Sequence, residues 1–355
     1  MANKSIELAF TVLEVLIAVA CCVGNLLVIW AVWTCGAMRR KPTFCLIVSL
    51  AVADFLVGAV VVPLAVLVDG RVRTSFYGCL LPSCIQIVIT QASVQSLLAI
   101  AVDRFLRVYI PHRYRAVVTQ KLIWIMVGTC WSSSGVLGFI PMFGWYRQDT
   151  LAEMEESNST TITCTFLGVI PMNYMVNFNF FVCLLPPLVL MVVLYLCIFV
   201  KIHQQLRGSG ASGSDSQNYY QKERQLAHSL LLVLVLFGVS WLPLHFMNVA
   251  ALYSPQLTVP HQVFYVGILL AQANSAVNPI IYALKVQKIR EAMRSLWRRV
   301  FLCNVERKAQ GSSQTRVKQS SSNQNNLNET IESKSAIKTQ SLTDSGNFGE
   351  NIHQL

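Results

Sequence analysis

Charge is what this chain of 355 residues has least of. Asp, Glu, Lys and Arg together make up 13 % of it, while apolar residues reach 54 %; an ordinary soluble domain carries roughly 25 % charged residues. Too few charges remain to cover two globular surfaces, so the solvent for most of the chain is lipid. Other absences narrow the class. There is no Cys-x-x-Cys pair and no Cys/His spacing of a metal site. No nucleophile–base pair speaks for an enzyme. Acids do not form a chain across the apolar runs, and neither a filter-like segment nor a pair of related halves is present, which weighs against channels and transporters. The apolar runs are continuous rather than alternating, which excludes a membrane β-barrel. The first run contains Glu14, is too long for a signal-peptide core and has no small-residue cleavage site after it, so it reads as a retained helix.

A helix needs about 20 mostly apolar residues to cross a bilayer. Seven such runs predict helices over about residues 8–33, 43–68, 76–109, 121–145, 172–203, 223–253 and 262–285. The expected fold is all-α: an integral membrane seven-helix bundle within residues 1–303, with a short amphipathic helix at 286–302 and a disordered tail at 304–355. The tail is rich in Ser, Thr, Asn and Gln and poor in aromatics, too polar to offset the entropy of ordering. Gly208–Ser216 reads as a short flexible linker. Lys and Arg gather in one set of connections, around Arg39–Lys41, Arg107–Lys121, Lys201–Arg224 and Lys285–Arg299. The other set carries Asp149, Glu153, Glu155 and Glu156. The basic set is cytoplasmic by the positive-inside rule, which puts the N-terminus outside and the C-terminus inside the plasma membrane. The net charge of +11 is then a matter of topology against an anionic leaflet rather than of nucleic-acid binding.

Of the eleven cysteines, Cys79 and Cys164 fall on the oxidising side and are expected to pair. Cys303 follows the basic amphipathic stretch and is a candidate for palmitoylation, the alternative being a free thiol. Sequons at Asn3 and Asn158 lie outside and are open to glycosylation; the one at Asn328 lies inside.

Polar groups at bilayer depth are costly, so each is a functional candidate. They are Asn25, Asp54, Ser93, Asn274, Ser275 and Asn278. Asn274 and Asn278 are four apart and share a helical face. Turned toward Asp54, with Ser93 nearby, that face would make a pocket for a small cation such as sodium; the alternative is hydrogen-bonding between helices. No other cofactor is indicated.

The third helix ends in Asp103-Arg104-Phe105, the sixth contains Ser240-Trp241-Leu242-Pro243 with Glu223 near its start, and the seventh closes with Asn278-Pro279-Ile280-Ile281-Tyr282. With Gly24-Asn25 and Leu50-Ala51-Val52-Ala53-Asp54, this set resembles the rhodopsin-like G-protein-coupled receptors over roughly residues 8–303. The resemblance implies a heterotrimeric G protein as partner and a switch in which Arg104, paired with Asp103 and Glu223, ties the third and sixth helices together. Tyr195 and Tyr282 would meet in the open form. Arrestin and receptor kinases would act through the Ser/Thr-rich tail.

The ligand is argued from the outer half. Ile85-Gln86-Ile87 carries no Asp and Ile268–Ser275 no Lys, so neither an amine held by a carboxylate nor a retinal Schiff base is expected. Trp241, His245 and Asn248 recur at i, i+4 and i+7 and line one stripe. An amide such as Asn248 donates and accepts together, which suits a purine edge. Phe166, two residues beyond Cys164, would be held over the cleft to stack on a base. Ser96–Arg104, Pro141–Trp145, Asn173–Val176, Ser240–His245 and Ala273–Ser275 then resemble the adenosine receptors. The resemblance assigns Phe166 to adenine stacking, Asn248 to the amine and ring nitrogen, and Thr90 and Ser275 to the ribose. Ile87, Met175, Asn179, Trp241, Leu244, His245 and Ile268 would form walls and floor. Departures are Gln272 where the family has a His paired with Glu14, Gln86 where it is apolar, and Phe105 where it has Tyr. Leu167 after Phe166 and the short third inner loop look like the inhibitory, cAMP-lowering branch. The alternative is a receptor of the same scaffold with a diverged small-molecule ligand.

Overall fold

The computed structural model describes residues 2–39, 41–208, 214–254, 256, 260–295 and 298. Among these residues seven helices are long and apolar enough to cross a membrane. They are α1 (Ala2–Thr34), α2 (Pro42–Leu67), α3 (Phe76–Tyr109), α4 (Gln120–Phe139), α5 (Tyr174–Arg207), α6 (Ser214–Tyr253) and α7 (His261–Lys285). Their surface inverts the pattern of a soluble protein. Large apolar side chains such as Leu16, Val19, Trp124, Val136 and Leu196 point outward, while Asn25, Asp54, Asp103, Arg104 and Asn278 are buried, as expected where the solvent is hydrocarbon.

Local chemistry sets several of the ends. Ser75 caps α3 by accepting the Gly78 N–H at 3.1 Å, and Thr119 caps α4 by accepting that of Leu122 at 3.3 Å. Within α2, residues Val57–Val61 widen into a π turn, and Tyr174–Leu184 do the same in α5. Each wide segment lies just ahead of a proline, Pro63 and Pro186. A proline supplies no N–H for the i−4 carbonyl, and the backbone instead bonds five residues back, Val62 to Val57 and Leu185 to Phe180.

The structure departs from the sequence expectations in four places. The all-α reading misses a two-stranded antiparallel ribbon of β1 (Asp69–Thr74) and β2 (Ile162–Thr165), which pairs Asp69 with Thr165 and Thr74 with Ile162 around an irregular register. Strands this short leave little periodic signal. Helix α1 begins at Ala2, since its polar first turns are helical although not apolar. Helix α4 gives way at Ile140–Phe143 to a 3₁₀ turn around Pro141, stopped by Gly144 at φ 117°. The expected linker is shorter than Gly208–Ser216, because α6 already starts at Ser214. Residues 1–293 form one unit. After a break at Val286, residues 287–295 are helical; most of the remaining stretch to 302, Cys303 and the tail lie outside the described residues.

Helices α3 and α4 touch closely at Gly138, where an added Cβ would stand 2.7 Å from the Val88 nitrogen and 2.9 Å from its Cα. One turn earlier, an added Cβ at Gly135 would meet nothing within 4 Å. We expect Gly138→Ala to lower the stability of the purified protein by about 1–3 kcal/mol, the usual cost of overpacking. Gly135→Ala should leave it unchanged or slightly raised through helix propensity. Thermal unfolding in detergent checks this, and equal falls for both variants would contradict the close approach.

Candidate functional site

At the ribbon end of the bundle lies a cavity of about 620 Å³, within the range of small-molecule sites. Six of the seven helices, all but α4, contribute one stripe each among the described residues. The stripes are Phe10 and Glu14 of α1, Val61 and Ala65 of α2, and Gln86, Ile87 and Thr90 of α3. Helix α5 adds Met175 and Asn179, α6 adds Trp241, Leu244, His245 and Asn248, and α7 adds Phe264, Tyr265, Ile268, Ala271 and Gln272. Within α6 and α7 the spacings are i, i+3 or i+4 and i+7, which is one helical face. The roof comes from the loop. The disulfide joins Cys79 to Cys164, β2 pairs with β1, and the Phe166 N–H bonds the Val68 carbonyl at 3.0 Å. Together these fix Phe166 over the cavity between Thr165 and Leu167.

The cavity walls are largely apolar, with few polar groups held in place. Gln272 donates through Nε2 to Glu14 Oε1 at 3.2 Å, both side chains being buried. Gln91 donates to Asn179 at 2.7 Å, which ties α3 to α5 behind the wall. His245 stacks on Phe180 with centroids 4.8 Å apart and on Trp241 at 6.0 Å. Its two ring nitrogens are buried without a hydrogen-bond partner among the described residues. Phe10 stacks on Tyr265 at 4.4 Å and closes the α1–α7 side.

The ligand residues chosen from the sequence all line this cavity except Ser275. The position facing the cavity is Ala271, one turn earlier on α7, while Ser275 donates to Asp54 Oδ1 at 2.8 Å. Sequence reasoning missed Phe10, Val61, Ala65, Val68, Asp69, Phe264 and Tyr265. Most of these are apolar residues in apolar helices, which spacing alone does not separate from lipid-facing ones. Asp69 is the exception, an acid directly after an apolar run.

Below the cavity Asp54 is wholly buried. Besides Ser275, it accepts from Asn278 Nδ2 at 2.7 Å and from Ser93 Oγ at 3.4 Å. Asn274 makes no hydrogen bond to Asp54 among the described residues, and its Oδ1 is buried without a partner. The α7 face turned to Asp54 is therefore Ser275/Asn278, at i and i+3, rather than Asn274/Asn278 at i and i+4. Asn25 completes the layer by donating to the Ser275 carbonyl at 3.0 Å.

At the opposite end of the bundle Arg104 is 1 % exposed. Its guanidinium meets Asp103 at 2.5 Å and Glu223 of α6 at 3.1 Å. Arg107 reaches the other Glu223 oxygen at 3.5 Å. Asp103 also accepts from Thr43 at 2.8 Å and from Tyr114 at 2.5 Å, and the Thr43 hydroxyl touches Arg104 as well. Burial and the adjacent Asp103 carboxylate push the Tyr114 phenol up, so it remains a neutral donor. Where α2 begins, Lys41 is drawn down to about 8 by the close approach of Lys288, with burial and the charges of Lys288, Arg107 and Arg115 acting in the same direction. Tyr195 and Tyr282 are buried, and the Tyr282 hydroxyl has no hydrogen-bond partner among the described residues. Asn158 is exposed in a turn at φ 54°, and Asn3 falls in the first turn of α1.

Comparison with known proteins agrees with this architecture. Residues 24–282 match the family model described as 7 transmembrane receptor (rhodopsin family). The chain is 42 % identical over 297 residues to adenosine receptor A3 of Canis lupus familiaris, covering 84 % of this chain and 93 % of that protein. For adenosine receptor A3 of Ovis aries the identity is 42 % over 84 % and 92 % of the two chains. For that of Bos taurus it is 43 % over 82 % and 90 %. These are receptors and not enzymes. The chain belongs to the rhodopsin family of seven-transmembrane receptors and, within it, to the adenosine receptors.

Proposed function

We propose that the chain is a plasma-membrane receptor that binds adenosine in the ribbon-end cavity and activates a heterotrimeric G protein of the inhibitory class, lowering cAMP. The observation that carries this reading is the placing of Phe166 and Asn248 on one apolar cavity. An aromatic face for a flat base and an amide for its polar edge are the two demands of a purine. Support for the inhibitory class comes from Leu167 and the short connection between α5 and α6, by which the sequence resembles the cAMP-lowering branch. The basic connections support a topology with the Arg104 end in the cytoplasm and the N-terminus outside. Arg104 and Glu223 hold that end closed, and a ligand that favours their separation would open a cleft for the G protein. The Ser/Thr-rich tail would serve receptor kinases and arrestin.

The same reading includes a sodium ion at Asp54. The residues present fit a hard cation, which takes oxygen ligands. A buried carboxylate stands beside the hydroxyls of Ser93 and Ser275. The buried Oδ1 atoms of Asn274 and Asn278 have no hydrogen-bond partner among the described residues. When bound, the ion would supply a positive charge against Asp54 and so favour one of the two receptor states.

Two outcomes are expected. Asn248→Ala should weaken adenosine binding at least about tenfold, the cost of one unmade buried hydrogen bond, with surface expression retained; unchanged affinity would remove the purine-edge argument. Adenosine affinity of the wild-type receptor should shift between sodium and a bulky organic cation at equal ionic strength, and Asp54→Asn should abolish that shift. A shift that persists in the variant would place the ion elsewhere. A panel of nucleosides and unrelated small ligands in the same assay separates adenosine from a diverged ligand, the reading that Gln86 and Gln272 favour.

A further inference from the structure

Helix α3 ends one donor short. Pro111 stands four residues after Arg107 and has no N–H, so the Arg107 carbonyl in the last turn of α3 cannot make its regular helical bond. The Leu106 carbonyl just before it is answered by the Ile110 N–H at 3.0 Å. The donor for Arg107 comes from α6 instead, whose Tyr219 hydroxyl reaches the carbonyl at 3.2 Å. Tyr219 lies four residues before Glu223, and Arg107 three after Arg104, so the contacts make two rungs between one face of α6 and one face of α3. One rung is charged, Arg104 to Glu223 at 3.1 Å. The other is neutral. A diagonal joins them, since Arg107 Nη1 stands 3.5 Å from the second Glu223 oxygen, its guanidinium lying 4.6 Å from the centre of the Tyr114 ring. Tyr219 is half-buried and meets Tyr220 edge-on, with ring centroids 5.3 Å apart. Tyr220 is buried, and its hydroxyl makes no hydrogen bond among the described residues.

We propose that Tyr219 is a positioning residue of the switch: its bond to the Arg107 carbonyl holds the inner end of α6 against α3 separately from the Arg104–Glu223 pair. The inference rests on the reading that this end of the bundle opens to admit a G protein. Moving α6 away from α3 parts the charges and also strips the carbonyl of its donor. Pro111 makes that loss count, because no N–H at the regular helical position can take the place of the hydroxyl. Releasing the charges alone therefore leaves α6 partly held. A phenylalanine would fill the same space and keep the ring contact with Tyr220 while lacking the donor.

The test compares ligand-free nucleotide exchange on a purified inhibitory G protein by wild-type receptor, Tyr219→Phe, Tyr220→Phe, Glu223→Gln and the Tyr219→Phe/Glu223→Gln double variant, each in vesicles at equal amounts of folded receptor. Losing one neutral hydrogen bond from the closed state shifts its equilibrium with the open state about fivefold. Tyr219→Phe should raise exchange by about that factor, and Tyr220→Phe should match the wild type. Separate contacts multiply, so the double variant should exceed Glu223→Gln by about fivefold again. A tyrosine with a merely structural part would lower the thermal midpoint without raising ligand-free exchange. Spin labels at the inner ends of α4 and α6 read the same release without a G protein, and the longer separation should gain population in Tyr219→Phe. Tyr219→Phe as quiet as the wild type with an unchanged distance distribution, an equal rise in Tyr220→Phe, or a double variant no faster than Glu223→Gln would overturn the proposal. A wild-type receptor indifferent to added adenosine would count against the adenosine reading, while the ligand-free comparison among the variants still decides the part of Tyr219.

Discussion

Hydrocarbon offers no hydrogen bonds, and that constraint organises this molecule more than any apolar contact does. Lipid tails are as apolar as Leu or Val, so burying side chains between helices gains little over leaving them in the bilayer. What distinguishes one arrangement of seven helices from another is whether the polar groups find one another. Asp54 of α2 draws in Ser93 of α3 and both Ser275 and Asn278 of α7. Asn25 fastens α1 to α7. The Trp131 indole donates to Ser49, which meets Ser96, so α4, α2 and α3 share a second node. Gln91 and Asn179 join α3 to α5, while Arg104 and Glu223 join α3 to α6. Every crossing helix is tied to a neighbour by at least one such pair, and α3 takes part in most of them.

The same constraint divides the bundle along its length. At the ribbon end the helices part around a cavity whose polar atoms are only partly matched from within. In the middle sits a carboxylate answered by neutral donors. At the far end the charges of Asp103, Arg104 and Glu223 are buried and mutually paired. A buried pair of this kind is costly to break and adds little net stability over an apolar contact, which suits a latch better than a staple. Helix α6 carries both Asn248 and Trp241 of the cavity and Glu223 of the latch. A ligand contact at one end and a charge release at the other can thus be two aspects of one helix movement, provided the ligand binds the two states unequally.

Much of this was legible in the sequence because the signals are long or chemically rare. Seven apolar runs need only be counted, and Asp54, Arg104 and Glu14 stand out because acids and arginines at such depth are scarce. Gln272 stands where the family has a His paired with Glu14, and the Gln272 amide is hydrogen-bonded to Glu14. The failures concern phase and depth along a helix. Choosing Asn274 and Asn278 as the Asp54 face used correct i, i+4 spacing, but Ser275 and Asn278 make an equally regular face one residue round, and only packing against α1 and α2 decides between them. Ser275 was sent to the cavity on the right face but at the wrong depth, since Ala271, one turn nearer the ribbon end, is the position that lines it. The ribbon, the Phe10–Tyr265 stack and the start of α6 at Ser214 depend on tertiary contacts or on short segments with no periodic signature.

The central claim is that adenosine in the cavity releases the Arg104 latch at the other end. It is tested most directly by nucleotide exchange on a purified inhibitory G protein, with wild-type receptor and Glu223→Gln compared in the same vesicles, with and without adenosine. The account predicts slow exchange by the wild type that adenosine accelerates, and exchange by Glu223→Gln that is already raised without ligand. Wild-type exchange indifferent to adenosine, or a Glu223→Gln variant as quiet as the unliganded wild type, would contradict it.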